Sequence, residues 1–254
     1  MSGASAMRGW SEQSPALAVV LGRAGSKGVP GKNAMMIAGK PCAQWTIEHA
    51  LAARTVGTVV LSTDDERLMQ LGEKTGIDVV RRPAELAGDG ATVDAAARHA
   101  VGKWGLGADS IIVILYANVP VRPAGLIDRA VERMLETGCD SVQSYAPVGK
   151  MHPWWTARVE SASGRVAPWE GEVLNHGVYR RQDLPPAFVP DGGVLVVTRR
   201  ALFCEIAGVA PGPHAFFGKD RRGVVNGEGE VVDIDSRIDA VVAEAVLGRA
   251  GTRQ

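Results

Sequence analysis

The chain has 254 residues, with 28 lysines and arginines balanced by 28 aspartates and glutamates, and three cysteines. That length suits one sizeable α/β domain with room for an inserted arm, and is too short for two full enzyme domains. Zero formal charge argues against a general nucleic-acid or anionic-membrane surface, and no stretch approaches the ~20 apolar residues of a membrane helix. Cys42, Cys139 and Cys204 are too few and too far apart for a disulfide framework or a zinc cluster, which fits a reducing cytoplasm.

Residues 1–15 are small and polar, lack the apolar segment of a signal peptide, and read as a flexible tail ahead of a single domain over 16–254. Residues 16–21 form a continuous apolar run, the pattern of a strand buried on both faces. Gly22 ends it, and the segment 21–33 then packs four glycines among Arg23, Lys27 and Lys32. Glycines let main-chain N–H groups approach an anion and the cations add charge, so the segment reads as a loop for a polyphosphate. The glycine spacing is not the G-x-G-x-x-G dinucleotide fingerprint, and Gly31-Lys32 is followed by Asn33 rather than the Ser or Thr of a P-loop. Composition alone also allows an ordinary glycine-rich connection from strand to helix.

Helical spacing follows at 43–53, a strand at 58–62 and a helix at 64–75. Further strands are expected at 77–80, 111–115 and 139–145, with helices at 92–104 and 124–137 between them. This alternation implies a mostly parallel sheet with helices on both faces, whose ligands sit beyond the carboxyl ends of the strands. Proline, tryptophan and arginine accumulate over 146–192, where Trp154 and Trp155 suit packing or a subunit interface. A strand at 193–198, a short helix at 199–204, a strand at 231–234 and a helix at 236–247 are expected to complete the chain and close the sheet.

Asp233 and Asp235 stand two apart at the expected strand end, where alternation would point both to one side as a seat for Mg²⁺. They are equally consistent with acidic residues ahead of a helix that Ser236 and Asp239 cap. Thr63 and Glu66 have capping-box spacing, enough to explain the helix start at 64 without a ligand. The connection 82–92 is long for a compact domain, as functional loops often are. The five histidines stand apart, and Ala24 replaces the first glycine of a G-x-S-x-G nucleophile elbow, so no covalent nucleophile is indicated.

The order Arg23, Gly25, Ser26, Lys27, Gly28, Val29, Lys32, Asn33 resembles the signature Arg-x-Gly-Ser-Lys-Gly-(apolar)-x-x-Lys-Asn of the CMP-sugar synthetases, and the resemblance extends over about residues 16–245. It implies a three-layer Rossmann-like nucleotidyltransferase fold, a dimerisation arm within 146–192 and a homodimer. The implied reaction is Mg²⁺-dependent transfer of CMP from CTP to a sialic-acid-like 2-keto sugar acid. Arg23, Lys27 and Lys32 would then serve catalysis, with Asp233 and Asp235 holding the metal. Gly25, Ser26, Asn33, Arg82, Ala91 and Thr92 would bind the nucleotide, the last three through a segment similar to the family's Arg-Pro-x-x-Leu-Ala-x-Asp loop. Tyr116, Asn118 and Arg181 would face the sugar, Arg181 because a guanidinium grips a carboxylate through two hydrogen bonds. The chain departs from the family at 115–122, reading Leu-Tyr-Ala-Asn-Val-Pro-Val-Arg where sialic acid synthetases usually read Leu-Gln-Pro-Thr-Ser-Pro-Leu-Arg, and at Val189, where an arginine is usual. Those departures leave open a Kdo-type acceptor, or a nucleotide-binding regulatory protein that has lost catalysis.

Overall fold

In the structure, a computed structural model that describes residues 16–26 and 28–251, the first apolar run forms β1 (Ala16–Leu21). The expected tail at 1–15 and the loop cation Lys27 lie outside the described residues. Ala16, Ala18 and Val20 turn to one face of the sheet and Leu17, Val19 and Leu21 to the other, all buried. Two-sided burial is what a strand without polar alternation requires.

After the loop come the short strands β2 (Met36–Ile37) and β3 (Lys40–Pro41), then α1 (Cys42–Ala52). Next are β4 (Val56–Thr63), α2 (Glu66–Thr75), β5 (Asp78–Arg81), α3 (Val93–Val101), β6 (Ile111–Tyr116) and α4 (Leu126–Thr137). β7 (Ser141–Pro147) leads into the arm, which carries β8 (Ala157–Val159) and β9 (Val166–Pro168). β10 (Phe188–Thr198), α5 (Arg199–Leu202), β11 (Arg221–Val225) and α6 (Arg237–Gly251) follow.

Among the described residues, seven strands form one sheet in the order β11-β7-β10-β6-β1-β4-β5, parallel except for β10, which runs antiparallel to β6 and β7. Buried residues of α1, α2 and α4 share an apolar cluster with one face, and those of α3 and α5 with the other. The expected three layers are present. From β1 the chain moves outward through β4 and β5, then returns to place β6 on the other side of β1. That reversal splays the loops after β1 and β6 apart and opens a crevice between them.

Four expectations are corrected. The segment 231–234 is not a strand: only Val232 forms a single bridge, to Val121, because the chain crosses over the 118–122 loop instead of joining a sheet edge. The sheet is bounded instead by β5 and β11, and α6 packs in a separate cluster with Ile37, Cys42, Val121, Val232 and Ile234. β10 begins at Phe188, five residues before the expected start, because its first half continues the arm's return against β7. Asp65 rather than Thr63 caps α2, accepting from Arg67 N at 2.9 Å, while Thr63 Oγ1 accepts from Asp65 N.

The arm closes at its neck where Val148 N donates to Ala187 O at 3.1 Å and His152 Nε2 reaches Pro185 O at 3.0 Å. Inside it, Trp154 stacks on His176 at 4.8 Å between ring centroids and Trp155 Nε1 donates to Val178 O at 2.9 Å. Both tryptophans therefore pack within the arm. None of the described helices is long and apolar enough to cross a membrane.

Candidate active site

The loop after β1 is held by side chains from distant segments. Asp64 Oδ1 accepts from Ala24 N at 2.8 Å, and Asn33 Nδ2 donates to Arg23 O at 2.8 Å. Arg23 Nη1 donates to Asp89 Oδ1 at 2.9 Å, across to the loop after β5. Lys32 Nζ donates to Asp235 Oδ1 at 2.6 Å and Ile234 O at 2.8 Å, tying the loop to the segment before α6. Gly28 lies so close to that segment that a Cβ there would stand 2.4 Å from Asp235 O. Gly28→Ala must therefore push the loop off the carboxylate segment. On the activity proposed below, we expect it to lower turnover with CTP about a hundredfold, with little change in melting temperature; wild-type turnover would show that this contact is dispensable.

Arg23, Gly25, Ser26, Lys32 and Asn33 line one wall of a cleft of about 270 Å³. Arg82, Ala91 and Thr92 line it from the loop after β5, and Tyr116 and Asn118 from the loop after β6. Arg82 is no exposed loop arginine: it is 7% exposed, its Nη2 donates to Ser62 O at 2.9 Å and its Nε to Ser62 Oγ at 3.2 Å. Burial lowers its pKa. Thr92 Oγ1 caps α3 by accepting from Ala95 N. Asn33 Oδ1 is buried without a hydrogen-bond partner among the described residues, leaving an acceptor at the cleft wall.

The two aspartates have different surroundings, since no strand imposes alternation on them. Asp233 accepts through Oδ1 from Asn118 Nδ2, and burial, followed by the charge of Asp235, raises its pKa to about 6. Asp235 is exposed and paired with Lys32. Ser236 and Asp239 cap each other reciprocally, Asp239 Oδ2 accepting from Ser236 N at 2.6 Å, so the helix-cap reading of this motif holds.

Among the described residues no group of three or more His, Cys, Asp or Glu side chains is arranged to hold a metal. Mg²⁺ typically takes one or two carboxylates and completes its shell with water and substrate phosphates. The donor set fits that pattern: two hard-oxygen carboxylates, one raised in pKa by burial and then by the charge of the other, with the Lys32 ammonium already on that other.

The loop after β6 is pinned from beneath by Arg122. Its buried guanidinium donates to Gly193 O at 2.6 Å, Thr46 Oγ1 at 2.9 Å, Tyr116 O at 3.1 Å and Val119 O. Arg181 is not among the cleft's lining residues; it sits on the arm, paired with Glu228 at 2.9 Å. Sequence reasoning gave no role to Asp64, Asp89, Ser62 or Arg122, which position the cleft's walls. The one signal lay in Asp64-Asp65, because one cap leaves the second carboxylate without an assigned role.

The Cytidylyltransferase family model matches residues 17–158. The N-acylneuraminate cytidylyltransferase of Streptococcus agalactiae serotype III is 29% identical over 191 residues, 74% of this chain and 45% of that protein. This chain thus spans less than half the length of that relative. The CMP-N,N'-diacetyllegionaminic acid synthase of Legionella pneumophila is 28% identical over 236 residues, covering 91% of this chain and 95% of that protein. Among solved structures, that of a CMP:2-keto-3-deoxy-manno-octonic acid synthetase complexed with CTP superposes with a TM-score of 0.69 at 17% identity, covering 93% of this chain and all of the other. That likeness bears on the fold, a three-layer nucleotidyltransferase architecture. With the loop signature and the cleft lying on the matched residues, the chain belongs to the cytidylyltransferase family of CMP-sugar synthetases.

Proposed function

We propose that the protein transfers CMP from CTP to a sialic-acid-like 2-keto sugar acid with release of pyrophosphate, in a Mg²⁺-dependent reaction. The observation that carries this reading is the meeting of the loop after β1, the Arg82 wall and the loop after β6 around one cleft, with Lys32 linking it to Asp235. The sugar's anomeric hydroxyl attacks the α-phosphorus and forms a P–O bond, the bond from the α-phosphorus to the bridging oxygen breaks, and the hydroxyl proton is released. Arg23, Lys27 and Lys32 stabilise the negative charge that grows on the departing pyrophosphate. Gly25 and Ser26 face the phosphates, and Asn33, Arg82, Ala91 and Thr92 hold the nucleoside. Asp233 and Asp235 would hold Mg²⁺, which when bound offsets charge on the phosphate oxygens.

Tyr116 faces the acceptor side, and Arg181, on the arm, is assigned to the acceptor's carboxylate. A homodimer formed through the arm is supported by the large apolar side chains it leaves exposed, among them Met151, Trp169 and Tyr179. A cytoplasmic site of action agrees with Cys42 and Cys139 being buried as free thiols.

The test is pyrophosphate release from CTP with Mg²⁺ against a panel of sialic acid, Kdn, Kdo, legionaminic and pseudaminic acids. Legionaminic acid belongs in it because the Legionella relative, matched over nearly its whole length, is named for that class. Turnover with a nine-carbon acid supports the proposal. Turnover with Kdo alone would move the acceptor class, and CTP binding without turnover on any acid would favour a regulatory nucleotide-binding protein.

A further inference from the structure

Asn118 stands on the loop that departs most from the family pattern, and its side chain turns away from the role that pattern suggests. We infer that Asn118 is a positioning residue for the metal-binding carboxylate Asp233, and that the loop after β6 forms the back wall of the cation seat. The inference rests on the Mg²⁺-dependent reading above and assigns this residue a different place within it.

Four hydrogen bonds and the position of Gly192 carry the inference. Asn118 Nδ2 donates to Asp233 Oδ1 and also to Ile234 O at 3.2 Å, so acceptors on the 233–235 segment engage both amide hydrogens. Both neighbours of that nitrogen are acceptors, which fixes the amide's orientation. The main chain repeats the link, with Ile234 N donating to Asn118 O at 2.9 Å and Val232 N to Val121 O at 3.3 Å. On the far side of the carboxylate, a Cβ at Gly192 would stand 3.3 Å from Asp233 Oδ2, so the glycine keeps a side chain off the second oxygen. Asp233 is thereby held at one oxygen by a donor, while the other faces a residue without a side chain and stays open to a cation.

The chemistry of the donor matters. A lysine or arginine in place of Asn118 would neutralise the carboxylate and compete with a divalent cation. A primary amide orients the carboxylate and leaves its charge in place. Asp235 is held differently, by the ammonium of Lys32, which can pass to a phosphate when a nucleotide arrives. With both N–H groups engaged, Asn118 retains only its side-chain carbonyl for a sugar, which is a poor basis for a sugar contact.

The inference is tested by titrating the Mn²⁺·CTP complex with protein, without any sugar acid, and following protein-bound Mn²⁺ through water proton relaxation. Metal-free CTP binding in EDTA is measured alongside by calorimetry. Groups that orient a metal ligand typically affect metal affinity 10–100-fold, so Asn118→Ala should weaken Mn²⁺·CTP binding by about 10-fold or more and leave metal-free CTP binding unchanged. Asn118→Asp exchanges the donor for a third carboxylate and should tighten Mn²⁺·CTP binding relative to the alanine variant. Asn118→Ser, which removes the amide without adding a carboxylate, carries the same expectation as the alanine variant if that variant does not fold. Wild-type Mn²⁺·CTP affinity in the alanine or serine variant, with only the sugar KM raised, would overturn the inference and return Asn118 to the acceptor site. If wild-type protein bound Mn²⁺·CTP no better than metal-free CTP, the Mg²⁺-dependent reading itself would fall, and this inference with it.

Discussion

Asp235→Ala is expected to lower CTP-dependent pyrophosphate release by about a thousandfold, the equivalent of the several kcal/mol that a bound metal supplies to phosphoryl chemistry. Its melting temperature should stay close to that of the wild type, because the carboxylate is largely exposed and its partner Lys32 keeps the carbonyl of Ile234 as an acceptor. Asp235→Asn keeps the shape and removes the charge, and should lose activity to the same extent. Asp233→Ala should lose as much turnover while behaving differently in the fold, since its partner Asn118 is left with an unmatched donor in a half-buried site. Pyrophosphate release across a Mg²⁺ titration, paired with thermal melts, separates the two effects. Turnover of Asp235→Ala at the wild-type rate and with the wild-type Mg²⁺ dependence would remove the carboxylate pair from the metal site.

The parts of this architecture that could be read from the sequence are those whose signal is local. β1 announces itself because six consecutive apolar residues have one physical use in an α/β protein, and the phosphate loop because its glycines and cations are contiguous. β11 gave no such signal: it is an edge strand reading Arg-Arg-Gly-Val-Val, with only Val224 buried, so neither alternation nor a continuous apolar run marks it. The 231–234 segment misled in the opposite direction, since Val232 and Ile234 are apolar for the sake of the α6 cluster and the crossing over 118–122, and Val231 packs against the main core. Arg82 was placed in the cleft by resemblance, but its burial depends on Ser62, twenty residues earlier. The link of Lys32 to Asp235 joins residues 203 apart, and no window of sequence contains both. The family pattern puts Asn118 on the sugar side, and no window of sequence shows that its hydrogen-bond partners lie on a segment more than a hundred residues away.

Arg122→Met is expected to lower stability by roughly 3 kcal/mol, which for a domain of this size corresponds to a fall of about 6–12 °C in melting temperature. Methionine keeps much of the apolar volume but removes every donor, leaving the carbonyls of Tyr116, Val119 and Gly193 and the hydroxyl of Thr46 without this partner. Arg122→Lys should recover part of the stability at most, because an ammonium cannot span acceptors arranged around a planar fork. Burial brings the Arg122 pKa down to about 10, so the guanidinium remains charged at neutral pH, helped by the nearby carboxylates of Asp233 and Asp191. A melting temperature within about 2 °C of wild type for Arg122→Met would sink this account. The functional consequence follows from what Arg122 touches. Within the loop after β6 it grips backbone carbonyls, and the side chains of Tyr116 and Val119 play no part in those bonds. The loop can therefore exchange the family's glutamine and hydroxyl for Tyr116 and Val119 without losing its path, so acceptor selectivity can change while the carboxylate seat behind it stays fixed. Tyr116→Gln should accordingly alter the preference among sugar acids and leave both the melting temperature and the KM for CTP near their wild-type values.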